Sequence, residues 1–511
     1  MIFSNITSAQ PNLLGANKIN IETDITRGLH SFSIVGLPDK SVEESRDRVS
    51  SAIRNSGFDS PKQQNYKITI SLSPANLKKS GSIFDLAIAL GYLKSSEQIK
   101  FNPKGKIFVG ELSLDGKVKK INGILQILIF AKKNNFKEIY IPEENIKEAK
   151  LVFGIKIYPV KNLGHIVGFL TKKININPLN NNGDDFKKQI LEAINPTNES
   201  QNKIDFSQIK GNENAKRVLL ISACGGHNVC LYGPPGTGKT LLSKAFHTIL
   251  PTLDYEKIIE STSIHSMREL ENNLIINPPF RSPHHTASYS AIIGGGRDIK
   301  PGEITLAHNG ILFMDEFPEF DRKVINSLRQ PMEDKKIKIA RSNEKVEYPC
   351  DFQLLITMNP CPCGFKNSPH KECKCSTREL GNYRKKLSGP IEDRIDMFCQ
   401  VSKVSYKKLL EKKVDDKNSD QLKRIVKKIR ETQLTRQNKL NNELNNQDIK
   451  AMITKNDLRE FNEISEKLNL SARAYFKILK VARTISDLEN CHKIKIPHIL
   501  EALQYKNSIY Y

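Results

Sequence analysis

Tryptophan is absent from the 511 residues, and aromatic side chains make up only 7% of them. The sequence therefore offers no evident stacking platform for single-stranded nucleic acid, which needs exposed rings under its bases. Long apolar runs are missing as well. The best, Gly123 to Ala131, carries Gln126 and falls well short of the roughly 20 residues a helix needs to cross a bilayer, so no membrane span is expected. Met1-Ile-Phe-Ser-Asn5 lacks a basic segment followed by an apolar core, so no signal peptide is visible and a cytoplasmic location is expected. Thiols stay reduced there, and the nine cysteines read as free thiols or metal ligands rather than disulfides. Acidic residues are outnumbered: 79 Lys+Arg face 56 Asp+Glu, for a net charge of +23. Such a surplus suits a polyanionic partner, usually nucleic acid. Lys, Asn and Ile are abundant throughout, however, as AT-rich coding would produce, and that accounts for part of the charge.

What is present is an ordered nucleotide-hydrolysis set in mid-chain. Gly233, Pro234, Pro235, Gly236, Thr237, Gly238, Lys239 and Thr240 follow an apolar stretch (Val229, Cys230, Leu231) and precede a helical one (Leu241, Leu242, Ala245, Phe246). A phosphate-binding loop requires this strand–loop–helix context. Its glycines let backbone N–H groups close around phosphates at a helix N-terminus, Lys239 reaches the β/γ-phosphates, and the Thr240 hydroxyl ligates Mg²⁺. Ile311 to Met314 then runs into Asp315 and Glu316, acids at the carboxyl end of a central parallel strand, where ligands of open α/β sheets collect. Asp315 is expected to hold Mg²⁺ through its water shell and Glu316 to polarise the attacking water. Asn359 closes a third strand (Leu354, Leu355, Ile356) and is placed to orient that water. Phosphoryl transfer depends on such placement rather than on covalent chemistry. ATP binding and hydrolysis are the expected chemistry, with ATP and Mg²⁺ as cofactors.

By length the chain should hold about three domains. Residues 1–170 read as mixed α/β, with strands at Ile19–Ile21, Ser31–Val35, Lys67–Leu72, Ile107–Val109 and Glu138–Ile141. Helices are expected at Ser41–Asn55, Phe84–Leu93 and Gly123–Asn134. Residues 171–203, rich in Asn, Lys and Pro, read as a linker holding at most a short helix at Phe186–Ile194. The nucleotide-binding domain spans 204–401. Residues 402–511 read as helical, with Ser471 as N-cap of an amphipathic helix carrying Ala474, Ile478, Val481, Ala482 and Ile485.

Further motifs carry a family resemblance. Asp205 to Gly211, the phosphate loop, Phe280-Arg-Ser-Pro-His284-His285-Thr286, Pro301 to His308, Asn359-Pro-Cys-Pro-Cys-Gly364 and Leu387 to Arg394 resemble the magnesium-chelatase-like AAA+ ATPases of the ComM/YifB type. Ile34 to Asp39 with Glu44 to Arg48, and Leu470 to Tyr475 with Ala482 to Asp487, extend the match to both ends. The resemblance covers nearly the whole chain apart from the linker, with small departures such as His30 where the family commonly has Pro. It implies an α/β fold: a P-loop AAA+ core with a helical C-terminal lid, preceded by a Lon-protease-like (S5-domain-2-like) α/β domain. It further implies a homo-oligomer, a hexameric ring that moves single-stranded or branched DNA using ATP, as in branch migration during recombination and natural transformation. Arg394 would be the arginine finger reaching a neighbour's γ-phosphate, and Arg473 the second-sensor arginine of the lid. A guanidinium suits both tasks, being permanently charged and forked. The plainer reading of Arg394 is an ion pair with Glu392 or Asp396.

Three regions keep two readings each. Lys336 to Tyr348 alternates around a polar tip as a hairpin; the family resemblance implies that it faces a central pore, where Lys338, Arg341 and Lys345 would grip DNA phosphates, and the plainer reading is ordinary solvated charges. Cys361, Cys363, Cys373 and Cys375, with His370 among them, either bind a structural Zn²⁺ or are free thiols in a loop. The front domain resembles a peptidase, yet Ile83 stands about where a nucleophilic Ser would, and Leu125 or Gln126 where its Lys would. It is therefore read as non-proteolytic, with a shifted dyad at Ser82 left open. The rival functions are a magnesium-chelatase-type ATPase subunit, an ATP-dependent protease, disfavoured by the missing dyad, and an ATP-dependent scaffold without translocation. Against the chelatase stand the front domain and the lack of a D-x-S-x-S string.

Overall fold

The computed structural model describes residues 2–12, 15–63, 65–179, 204–268, 274–295, 300–340, 345–366, 371–387, 391–404 and 417–506. Most of the expected linker, the short helix at 186–194, Arg341 and His370 lie outside these. The chain divides into two compact units, one formed by 1–195 with 258–274 and the other by 196–257 with 275–511.

The first unit holds a four-stranded sheet in the order Ile2–Asn12, Gly15–Arg27, Tyr66–Ser73, Ser31–Val35, and a three-stranded parallel sheet of Lys106–Phe108, Glu138–Pro142 and Lys156–Val160. Along Gly15–Arg27 the residues Ile19, Ile21, Thr23 and Ile25 are buried while their neighbours are not, the period of two that a half-covered strand dictates. Two strands had no clear sequence signal. In Ile2–Asn12 the buried face carries Ser4 and Ser8 beside Ile6, and Ala9 is buried next to Ser8, so the alternation is blurred in polarity and breaks in packing after Ser8. Lys156–Val160 is short, contains Pro159 and lies at the edge of its sheet, a position that tolerates the missing donor. The expected helices form at Lys40–Asn55, Asp85–Ser95 and Ile124–Lys133. Asp85–Ser95 is apolar nearly all round and buried along almost its full length, as a helix inside a core must be.

The second unit is built on a five-stranded parallel sheet in the order Phe280–Arg281, Ile311–Met314, Gln353–Met358, Val229–Tyr232, Met397–Gln400. Val229–Tyr232 and Ile311–Met314 are buried at every position, which explains their continuous apolar runs. C-terminal helices follow at Ser419–Gln437, Asn446–Ala451, Lys455–Lys467, Ala472–Leu488 and Ile496–Gln504. Ser471 caps the fourth through the Ala474 N–H at 3.2 Å, and Ile478, Val481, Ala482 and Ile485 are buried. They join Val229, Leu231, Ile311, Phe313 and Leu355 in one continuous core, so the terminal helices and the sheet are a single packed body. Lys336–Ala340 and Lys345–Pro349 pair as an antiparallel hairpin. Among the described residues no helix is long and apolar enough to cross a membrane.

Candidate ATP-hydrolysis site

Gly233 to Gly238 leave the carboxyl end of Val229–Tyr232 and turn into the helix Lys239–Thr248. Gly236 (φ +74°) and Gly238 (φ +88°) take left-handed backbone conformations that other L-residues resist. Gly233 is demanded by space instead: a Cβ there would lie 2.2 Å from the Val401 carbonyl oxygen. The loop therefore presents its N–H groups at a helix start, where the backbone dipoles favour an anion.

The Lys239 ammonium donates to the Gly233 carbonyl at 2.6 Å, the Pro234 carbonyl at 2.9 Å and Asn359 Oδ1 at 3.1 Å. All three donors meet neutral acceptors, and an anionic phosphate oxygen would bind them more strongly. Burial holds its pKa below the usual lysine range, against the pull of Asp315 and Glu316. Thr240 Oγ1 donates to Asp315 Oδ2 at 2.9 Å. This hydroxyl–carboxylate pair is a hard-oxygen donor set of the kind Mg²⁺ takes, Thr240 directly and Asp315 through the ion's water shell. The residues present thus fit Mg²⁺ with a nucleotide phosphate.

Three side chains at this site had no legible role in the sequence. Thr357, fully buried, donates its hydroxyl to Asp315 Oδ1 and accepts the Glu316 N–H at 3.2 Å, so one side chain orients both acids. Glu316 itself sits in a left-handed conformation (φ +52°), and its half-exposed carboxylate lies 3.9 Å from His285 Nδ1. His285 follows Phe280–Arg281, which pairs with Ile311–Met314 in parallel, so the His284–His285 loop emerges on the same edge as Asp315 and Glu316. The third is Glu333. Its Oε1 accepts from Arg394 Nη2 at 2.5 Å and from Arg473 Nη2 at 2.7 Å, and these two arginines hold its carboxyl below the usual range. Arg394 thus pairs with Glu333, a residue distant in sequence from Glu392 and Asp396. The structure brings Arg394 and Arg473 together on one carboxylate oxygen, while Lys239, Thr240, Asp315, Glu316 and Asn359 form the other group.

The remaining candidates are placed as follows. Lys338 is largely exposed and 3.7 Å from Glu347, which also pairs with Lys336 at 2.7 Å. Lys345 lies on the returning strand. The four cysteine sulfurs lie within 4.8 Å of one another. In the first unit Ile83 is buried, the Ser82 hydroxyl meets Glu111, and Gln126 donates to the Ser263 carbonyl at 2.7 Å.

Comparison with known proteins completes this picture. Residues 205–409 match the family described as magnesium chelatase, subunit ChlI; 21–145 match subunit ChlI of Mg-chelatase; 416–506 match the ChlI C-terminal family. The competence protein ComM of Haemophilus influenzae is 39% identical over 493 residues, covering 96% of this chain and 94% of ComM. The chain belongs to the ComM/YifB family of magnesium-chelatase-like AAA+ ATPases. YifB of Escherichia coli is 38% identical over 502 residues, 96% of this chain and 95% of its own. A DNA replication licensing factor of Drosophila melanogaster is 25% identical over 281 residues, 48% of this chain and 31% of its own. As a ComM/YifB-type protein the chain is an ATPase with an α/β AAA+ core that uses ATP and Mg²⁺. One expectation needs correction: the front segment also matches a chelatase-named family, so its presence does not separate this ATPase from a chelatase subunit.

Proposed function

We propose that this ATPase is a ring-shaped DNA motor, a machine coupling ATP hydrolysis at subunit interfaces to movement along single-stranded or branched DNA. The observation that carries this reading is that the candidate residues fall into two sets of contacts. Lys239, Thr240, Asp315, Glu316 and Asn359 supply phosphate, metal and water contacts. Arg394 and Arg473 are paired with each other's partner Glu333 instead. Phosphoryl transfer needs a cation on the developing charge, and a neighbouring copy presenting Arg394 supplies one. Asp315 and Thr240 would hold Mg²⁺, which neutralises phosphate charge when bound. Glu316 would take up the proton side of the attacking water, steadied by the Thr357 bond to its backbone.

DNA as the substrate rests on the relation to ComM, a competence protein, on the likeness to a replication licensing factor, and on the +23 charge. Residues 402–511 are the lid in this reading, 204–401 the core, 171–203 a linker and 1–170 a non-proteolytic Lon-like domain. Lys338, Arg341 and Lys345 are the hairpin cations assigned to phosphate. The chelatase-named families favour a second reading, an ATPase subunit for metal insertion. ATP turnover with and without single-stranded, forked and four-way DNA separates them, with Glu316→Gln as control. Stimulation by branched DNA, lost in the control, supports the motor; turnover indifferent to every DNA at moderate salt overturns it.

A further inference from the structure

The insertion after Gln353–Met358 contains chemistry that ATP hydrolysis leaves unused. Cys361 and Cys363 lie just past Asn359, and Cys373 and Cys375 return to them. The sulfurs of Cys361 and Cys363 are 3.4 Å apart, Cys361 and Cys373 3.7 Å, and Cys363 and Cys373 3.6 Å; Cys375 completes a set within 4.8 Å. A tetrahedral ion with Zn–S near 2.3 Å has sulfur–sulfur edges of about 3.8 Å. Disulfides would bring sulfurs to about 2.05 Å in separate pairs, with no reason for four to converge. Backbone N–H groups also point at the sulfurs: Lys366 at Cys361 (3.3 Å) and Cys363 at Cys375 (3.4 Å). Such bonds are what coordinated thiolates receive from their surroundings.

The same loop touches the nucleotide site. Gly364, with φ +81°, stands so close to Pro235 that a Cβ would lie 2.7 Å from its Cδ. Asn359 accepts from Lys239 through its side chain and from the Tyr383 hydroxyl (3.1 Å) through its carbonyl. We propose that Cys361, Cys363, Cys373 and Cys375 bind one structural Zn²⁺, and that the ion fixes Asn359 and Gly364 against the phosphate loop. On binding, each thiol loses its proton and its sulfur donates a lone pair to the metal; four protons are released and no redox change occurs. Zn²⁺ is favoured over harder divalent ions by the all-thiolate set. The ion's role beside the ATP site rests on the proposed reading of that loop; its presence does not.

The full-length protein, purified under reducing conditions without chelator, should carry one zinc per chain by elemental analysis. After stripping, Co²⁺ alone should give the intense visible bands of a tetrahedral tetrathiolate. Metal-free protein with four freely titrating thiols, or a cobalt spectrum without thiolate character, overturns the site. The Cys373→Ser/Cys375→Ser variant should lose the zinc and bind a non-hydrolysable ATP analogue about tenfold more weakly, the loss expected from one displaced hydrogen bond to a charged group. Stripped wild-type protein should show the same weakening, reversed by Zn²⁺, which keeps the test valid if the variant does not fold. Unchanged analogue binding after verified zinc loss overturns the bracing role and leaves the metal site standing.

Discussion

Replacing Thr357 by Val keeps the branched shape and removes only the hydroxyl. That hydroxyl is fully buried and makes two bonds, donating to Asp315 Oδ1 and accepting from the Glu316 N–H at 3.2 Å. A hydrogen bond to a charged group contributes about 1.5–3 kcal/mol and a neutral one about 0.5–1.5 kcal/mol. About 2–4.5 kcal/mol of local organisation is therefore at stake. Part of it appears as lower folding stability, and the rest as freedom of Asp315 to turn away from Thr240, its 2.9 Å partner. With Asp315 holding Mg²⁺ as proposed, losing the group that orients it should cost about 10–100-fold in metal affinity or activity. Steady-state ATP turnover measured against Mg²⁺ concentration should show a half-saturating Mg²⁺ raised by about that factor. Thr357→Ser, which retains the hydroxyl, should stay close to wild type. A Thr357→Val protein with the wild-type Mg²⁺ dependence would refute the reasoning, because Asp315 would then hold its position without this bond.

Lys239→Ala and Arg394→Ala subunits should each be nearly inactive, the latter by about a thousandfold if it is a finger. Mixed in equal amounts they should regain turnover through interfaces joining an intact loop to an intact arginine, and no recovery would place Arg394 outside a shared site. His227 is fully buried against the Thr484 hydroxyl at 2.8 Å, and burial pushes its pKa down to about 4, opposed by Asp396. The neutral ring is thus favoured in the folded state, so its contribution holds above about pH 6.5 and falls by about 1.4 kcal/mol per pH unit toward pH 4. Urea unfolding should show a flatter pH dependence in that window for His227→Gln, and parallel curves would contradict the assignment. Asp487 is buried between Arg436 at 2.6 Å and Arg483, itself almost wholly buried. Asp487→Ala strands that guanidinium and should cost about 3–5 kcal/mol in denaturant unfolding; a loss under about 1 kcal/mol would show that the charge finds another partner.

The sequence by itself determined what is written in contiguous peptide. Gly233 to Thr240 names its chemistry because neighbouring backbone groups form the phosphate cradle, and the runs into Asp315 and Asn359 name theirs because strand ends must emerge at one sheet edge. The amphipathic helix after Ser471 was legible for the same reason: its cap and its apolar stripe are local periodicities. Tertiary structure alone decided partnerships between distant residues. Glu333 enters the site only because Arg394 and Arg473 share one of its oxygens. Thr357 joins the site only through the bond of its hydroxyl to Asp315, and His285 neighbours Glu316 only through the parallel pairing of two strands. The cysteine spacing left zinc and free thiols equally open, because a C-x-C pair does not say where its sulfurs point. Their convergence to within 4.8 Å is a property of how the loop returns on itself, which no local pattern encodes.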